Sequence, residues 1–173
     1  MFKYTYLWYI SFCEIITFNY WTSKEVITIS STINYEQLIT EIGKCCLGEE
    51  ECGECQKEEC LIGYCKSCLL EALKQKDRFI DDGADNIPYW DTKIYDNEVL
   101  IEAIGFLLNQ CRNCNLYHDE DCIINIVREC LEIILFGDSQ EYRGSTFMYL
   151  NDIKSIDSHI ADRIFESFNR RKE

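Results

Sequence analysis

The sequence predicts a mainly α-helical protein, a small bundle of about five helices with Cys-rich metal-binding loops and a possible short β-rich N-terminal appendage. A chain of 173 residues with 47% apolar residues can bury a real core. Apolar residues recur at helical spacing after residue 34. Twelve cysteines, several-fold above ordinary usage, fall mostly into two short clusters.

Residues 1–32 differ in composition from the rest of the chain. Aromatic and β-branched residues dominate this segment, which favours short strands near residues 3–10, 14–20 and 25–30. Helix-forming residues follow, so we expect an N-terminal appendage at 1–32 and a Cys-rich helical domain at 33–173. An extension that packs poorly, or a start codon placed too far upstream, is the alternative for the first segment.

Five helices account for the periodic segments. Asn34 can cap a helix that begins at Tyr35 and ends before Gly48, and Asn97 can cap another. The predicted helices span residues 35–47, 64–76, 98–111, 121–136 and 156–169. Gly137 is a natural residue to follow the fourth helix. Turns are expected at 77–97, and a short helix or a turn at 144–151.

The formal charge of −14 limits the partners of this chain. Nucleic acids and anionic membrane surfaces require a Lys/Arg footprint, so neither is expected. A basic protein surface or metal cations are compatible partners. Polar residues break the apolar run at the N-terminus, which fits neither a signal peptide nor a transmembrane helix well. We therefore expect a cytoplasmic protein, with secretion as the alternative.

The first cysteine cluster contains two Cys-x-x-Cys pairs, Cys52/Cys55 and Cys65/Cys68. Each pair can present two thiolates to one ion, and four thiolates form a closed tetrahedral Zn²⁺ site. The same ligands can hold an iron–sulfur cluster. Ordinary buried or disulfide-bonded cysteines are the alternative. This segment also contains three surplus thiols, which favour an iron–sulfur cluster, a second ion or a polynuclear soft-metal site: Cys45, Cys46 and Cys60.

The second cluster consists of Cys111, Cys114, His118 and Cys122. On a continuous helix these four residues would share one face, and with a turn after Cys114 they approach a zinc-knuckle arrangement. We therefore predict a second metal site, with a surface histidine at a helix start as the alternative for His118. Cys130 is expected in the core.

Catalysis is the less favoured interpretation, although an enzyme is not excluded. The sequence contains no nucleotide-binding glycine loop, HExxH or GxSxG motif. A redox Cys-x-x-Cys needs a lowered thiol pKa, and the glutamates around the first cluster oppose thiolate formation.

The favoured function is a non-catalytic soft-metal-binding protein, with structural Zn or an iron–sulfur cluster, that acts as an interaction or accessory module. Cysteines on helix faces are similar to those of helical-bundle copper-storage proteins, although those proteins carry denser cysteine ladders. This likeness supports an alternative, Cu(I) or soft-metal storage or delivery. A secreted, disulfide-stapled helical module is the third hypothesis.

Overall fold

Seven α-helices make up most of the chain that the computed structural model describes, which comprises residues 33–111 and 119–171. No β-strand occurs in these residues, so the mainly α-helical class is confirmed. The helices are α1 (Tyr35–Lys44), α2 (Glu49–Cys52), α3 (Leu61–Gln75), α4 (Asn97–Cys111), α5 (Ile123–Phe136), α6 (Thr146–Ile156) and α7 (Ser158–Arg170). The predictions for residues 1–32, Cys114 and His118 lie outside the described residues.

The helix ends follow from local side-chain chemistry. The Asn34 side chain accepts a hydrogen bond from the backbone N of Gln37 at 3.0 Å, as expected of an N-cap residue. At α4 the acceptor is Asp96, which takes the backbone N–H of Glu98 at 2.8 Å, instead of the predicted Asn97. Gly137 follows α5 with φ of 83°, in the left-handed conformation that glycine adopts freely.

Helix α4 lies at the centre of the fold. It packs against α1, α5 and α7, while α3 packs against α1 and α5. Its predicted apolar stripe is buried, with Leu100, Ile104 and Leu107 fully inaccessible to solvent. Gly105 lets α7 approach closely, because a Cβ there would lie 2.4 Å from Ser167 Oγ.

Two of the seven helices were not among the five predicted. Helix α2 is a single acidic turn in the predicted loop, and α6 fills the region where a short helix or a turn was expected. The last predicted helix began at Ile156, but the helical conformation is interrupted at Asp157, whose backbone is extended. The Asp157 side chain accepts from His159 N at 2.9 Å and Ile160 N at 3.0 Å, so α7 begins there.

The segment between α3 and α4 contains turns, as predicted. It is tied to the start of α5 by hydrogen bonds from Ile80 N to Asp121 O at 2.9 Å and from Ile123 N to Arg78 O at 2.8 Å. Among the helices described, none combines the length and apolar character that a membrane crossing requires.

Candidate functional site

Four cysteines line one cavity of about 330 Å³ at the surface. Cys46 follows α1, Cys52 ends α2, Cys55 lies in the next turn and Cys60 directly precedes α3. We call this cavity the thiol pocket. Apolar and aromatic side chains form another part of its wall, namely those of Leu47, Ile62, Leu70 and Tyr95. The chain between the end of α1 and the start of α3 thus brings four cysteines to one cavity.

Glycines and short turns shape the chain around the thiol pocket. Gly53 has φ of 61°, so the chain reverses directly after Cys52 in a conformation that favours glycine. A 3₁₀ turn at Lys57–Glu59 then leads to Cys60, which caps α3. The Cys60 Sγ accepts a hydrogen bond from Gly63 N at 3.2 Å. A Cβ at Gly63 would lie 1.8 Å from the Lys57 carbonyl oxygen, so this turn requires glycine.

Asp91 anchors the pocket wall from the segment before α4. Its Oδ2 accepts hydrogen bonds from Leu61 N at 2.9 Å and from the Tyr95 hydroxyl at 2.7 Å. Lys93 Nζ joins Asp91 Oδ1, at 3.0 Å, to Gln56 Oε1, at 2.6 Å. Hydrogen bonds to the carboxylate hold the pKa of Asp91 below its usual value, although burial opposes them. Gln56, which follows Cys55, is therefore linked to the Asp91 carboxylate through Lys93.

Charges of both signs surround the thiol pocket. Lys66 Nζ donates a hydrogen bond to Cys46 Sγ at 3.5 Å. Burial raises the pKa of Cys60, while the hydrogen bond from Gly63 opposes this rise. Six exposed glutamates occupy the surrounding segment and would attract cations: Glu49, Glu50, Glu51, Glu54, Glu58 and Glu59.

The second predicted pair, Cys65 and Cys68, lies in the core and does not line the thiol pocket. Both residues are on the face of α3 that also buries Leu69 and Ala72. Cys65 lies near Cys130 of α5, and Cys130 is fully buried, as expected. Because these thiols are removed from water, they form a group separate from the pocket cysteines.

Burial favours the protonated form of three core thiols, those of Cys45, Cys65 and Cys68. Burial, and then the neighbouring Cys130, raise the pKa of Cys65 well above its usual value. Burial raises the pKa of Cys68 to about 11 and that of Cys45 to about 12. A thiolate at these positions is costly unless a cation compensates it.

The second predicted site has two described members, Cys111 at the end of α4 and Cys122 at the start of α5, both half-buried. With Cys114 and His118 outside the described residues, this site stays a prediction. Within the described ranges, no group of three or more Cys, His, Asp or Glu side chains is already placed to hold a metal ion. The described cysteines of the thiol pocket and of the core are free thiols.

Sequence reasoning gave no role to two of the pocket cysteines, Cys46 and Cys60, although both were recognised as surplus thiols. The signal for Cys60 is its position directly before an apolar periodic segment, where a residue caps a helix. The chain offers no comparable signal for Asp91, which accepts a hydrogen bond from Leu61, 30 residues earlier in the chain.

The fold and the thiol pocket define a cysteine-rich helical protein. No family model matches the chain, and neither a curated protein nor a solved structure shows significant similarity to it. Its function must therefore be inferred from its own residues.

Proposed function

We propose that this chain is a non-catalytic soft-metal-binding protein, which holds Zn²⁺ or an iron–sulfur cluster and acts as an interaction or accessory module. One observation carries the proposal, the convergence of Cys46, Cys52, Cys55 and Cys60 on one cavity. Thiolates are preferred ligands of Zn²⁺ and of iron–sulfur clusters. The glutamates nearby raise the local concentration of cations.

The proposed ligands combine the predicted pair Cys52 and Cys55 with Cys46 and Cys60. The latter two replace Cys65 and Cys68, because they line the same cavity as Cys52 and Cys55, whereas Cys65 and Cys68 do not. Zn–S distances are about 2.3 Å, so the turn that carries Cys52 and Cys55 closes on the other two sulfurs when metal binds. Gly48 and Gly53, which flank α2, give this turn the freedom to move.

Anaerobic purification, followed by metal analysis and a visible spectrum, tests the proposal. We expect either colourless protein with bound zinc or coloured protein with iron and sulfide. Cys46→Ser and Cys60→Ser should lower the metal content, while Cys65→Ser should leave it unchanged. The opposite pattern would restore the set Cys52, Cys55, Cys65 and Cys68, and a metal-free protein that takes up neither metal would refute both sets.

Storage or delivery of Cu(I) is the second candidate. The buried thiols Cys45, Cys65, Cys68 and Cys130 support it, because Cys65 lies near the other three. Cu(I) favours soft thiolate ligands. Titration with Cu(I) against a chromophoric chelator would give several ions per chain for a storage protein, and Cys65→Ser together with Cys130→Ser would lower that number.

The same preparation tests the disulfide-stapled alternative, because thiol counting before and after reduction gives the number of disulfides in the whole chain.

A cytoplasmic location and the second metal site at Cys111, Cys114, His118 and Cys122 stay predictions. For the second site, a His118→Ala variant with unchanged metal content would contradict the prediction.

A further inference from the structure

A second cavity, on a different part of the surface, is polar and aromatic. It has a volume of about 510 Å³ and lies between residues 84–89, the start of α5 and the segment after α5. Tyr89 and Tyr142 contribute the aromatic part of its wall, so we call it the tyrosine cavity. None of the four pocket cysteines lines it.

Negative charge dominates the tyrosine cavity. Its wall includes four carboxylates, those of Asp85, Glu120, Glu129 and Glu141. Arg128 is the one basic residue among the lining residues, and its charge is already compensated, because Nη1 lies 2.6 and 2.7 Å from the two carboxylate oxygens of Glu132. An added cation would therefore be stabilised here.

A donor without an acceptor lies at the wall of the same cavity. Arg128 is almost completely buried, and its Nε has no hydrogen-bond partner. Its guanidinium lies 5.5 Å from the centroid of the Tyr142 ring. Buried donors are nearly always satisfied in folded proteins, so this Nε is an exception, and it is itself inaccessible to solvent.

Exposed aromatic side chains extend from the tyrosine cavity onto the surface. Tyr89 is 57% exposed and its neighbour Trp90 is 69% exposed. Aromatic faces attract the cationic groups of Lys and Arg, and aromatic residues are enriched where proteins bind one another. Exposed aromatic rings beside the carboxylates distinguish this surface from the glutamate-rich turns around the thiol pocket.

We propose that the tyrosine cavity binds a basic segment of a partner protein. An Arg or Lys side chain enters between Tyr89 and Tyr142 and pairs with the carboxylates. The net charge of −14 steers such a segment toward this protein and repels nucleic acids and anionic membranes. The inference goes beyond metal binding and does not depend on it.

Fluorescence anisotropy with a short labelled peptide that alternates Arg and Gly tests the proposal on the full chain as purified. We expect saturable binding that salt weakens, and at least about fivefold weaker binding when citrulline replaces Arg and removes its charge. Glu120→Gln with Glu141→Gln should weaken binding by about fivefold or more, because both exposed carboxylates line the cavity.

A charge-matched variant separates local recognition from general attraction. Glu50→Gln with Glu54→Gln removes the same two charges from exposed positions beside the thiol pocket, and it should leave the affinity unchanged. Tyr89→Ala should weaken binding, whereas Phe147→Ala, at another exposed aromatic residue, should not. The proposal would be overturned if the two double glutamate variants lost equal affinity for the Arg peptide, or if the wild-type protein did not bind that peptide.

Discussion

Asp91 binds the N-terminus of a helix that begins with Leu61, 30 residues before it. Its Oδ2 lies 2.9 Å from the backbone N of Leu61, the first residue of α3. The Asp91 side chain is only 1% exposed, and a carboxylate at a helix N-terminus interacts favourably with the helix dipole. The segment before α4 and the wall of the thiol pocket are therefore held together by one buried charge.

Asp91→Asn should destabilise the protein by about 2–3 kcal/mol, because charge-assisted hydrogen bonds from Leu61 and Tyr95 are lost or weakened. The pKa of Asp91 is lowered in the folded state. Its contribution is therefore fully present above the unfolded pKa of about 3.9 and is lost as pH falls through the lower folded value.

Urea denaturation of both proteins at several pH values measures this difference. The gap between wild type and Asp91→Asn should be constant near neutral pH and shrink in acid. Asp162→Asn, at an exposed carboxylate paired with Lys154, serves as the control and should cost less than about 1 kcal/mol. If the difference in stability between wild type and Asp91→Asn did not shrink below the unfolded pKa of Asp91, the charge of Asp91 would not be the source of the stabilisation.

Gly63→Ala should destabilise the protein and disturb the thiol pocket. The new Cβ would lie 1.8 Å from the Lys57 carbonyl oxygen and 3.0 Å from Cys60 Sγ, so the 3₁₀ turn must move. Overpacking of this kind costs about 1–3 kcal/mol. Thermal unfolding followed by circular dichroism gives the change.

Gly43→Ala is the matched control for that substitution, because a Cβ at Gly43 meets nothing within 4 Å. Alanine in a helix is favoured over glycine by about 0.5–1 kcal/mol, so this variant should be as stable as wild type or more stable. Similar destabilisation in both variants would mean that the close contact between Gly63 and Lys57 is not what requires glycine.

Thiol labelling should divide the described cysteines into two groups. Cys46 and Cys55 are exposed and should react first with iodoacetamide at about pH 8, since the thiolate is the nucleophile. Cys45, with a pKa of about 12, and Cys68, with a pKa of about 11, should react slowly. Peptide mapping by mass spectrometry assigns each modified residue.

Zn²⁺ adds a second part to the labelling experiment. If the thiol pocket holds the metal, Zn²⁺ should protect Cys46 and Cys55 and leave the slow rate of Cys65 unchanged. Unfolding in urea without metal should make all of these cysteines react alike. Rapid labelling of Cys65 in the folded protein would show that the core thiols are more accessible than the structure indicates.

Local sequence signals predicted the helical elements well where caps and periodicity agree. The cap at Asn34, the apolar stripe of α4 and the glycine after α5 were all correctly predicted. The break at Asp157 was missed, because Ile156 and Ile160 continue the apolar spacing across it. A single extended aspartate interrupts the helix without changing that pattern.

The candidate site was less predictable, because spacing along the chain does not determine which face of a helix is buried. Cys65 and Cys68 share a helical face with Leu69 and Ala72, and this pattern indicates the core as strongly as it indicates a ligand pair. Cys46 and Cys60 come together through the turns around α2. Tertiary packing of this kind leaves no local pattern in the sequence.

The buried ion pair between Arg128 and Glu132 supports the last prediction. The two side chains are 4% and 0% exposed, and Nη1 of Arg128 also donates to the Gln140 carbonyl at 2.7 Å. Arg128→Met would leave the Glu132 carboxylate buried without its cation, which costs about 3–5 kcal/mol. Arg143→Met, at an exposed ion pair with Asp152, should cost about 0–1 kcal/mol.

The loss caused by Arg128→Met should depend on pH. Burial raises the pKa of Glu132 and Arg128 opposes this rise, so the folded-state pKa increases further when Arg128 is removed. A group whose folded pKa is raised stabilises the fold below its unfolded pKa and loses that contribution as pH rises through the folded value. The stability of the variant should therefore be closest to that of wild type near pH 4 to 5, around the unfolded pKa of about 4.3, and should fall furthest below it at neutral pH.

Urea denaturation across this pH range measures the difference in stability. The double variant Arg128→Met with Glu132→Leu should recover part of the lost stability. A double variant as unstable as Arg128→Met alone would mean that the guanidinium acts mainly through Gln140 and the rings of Tyr142 and Tyr149, which lie 5.5 and 5.8 Å from it.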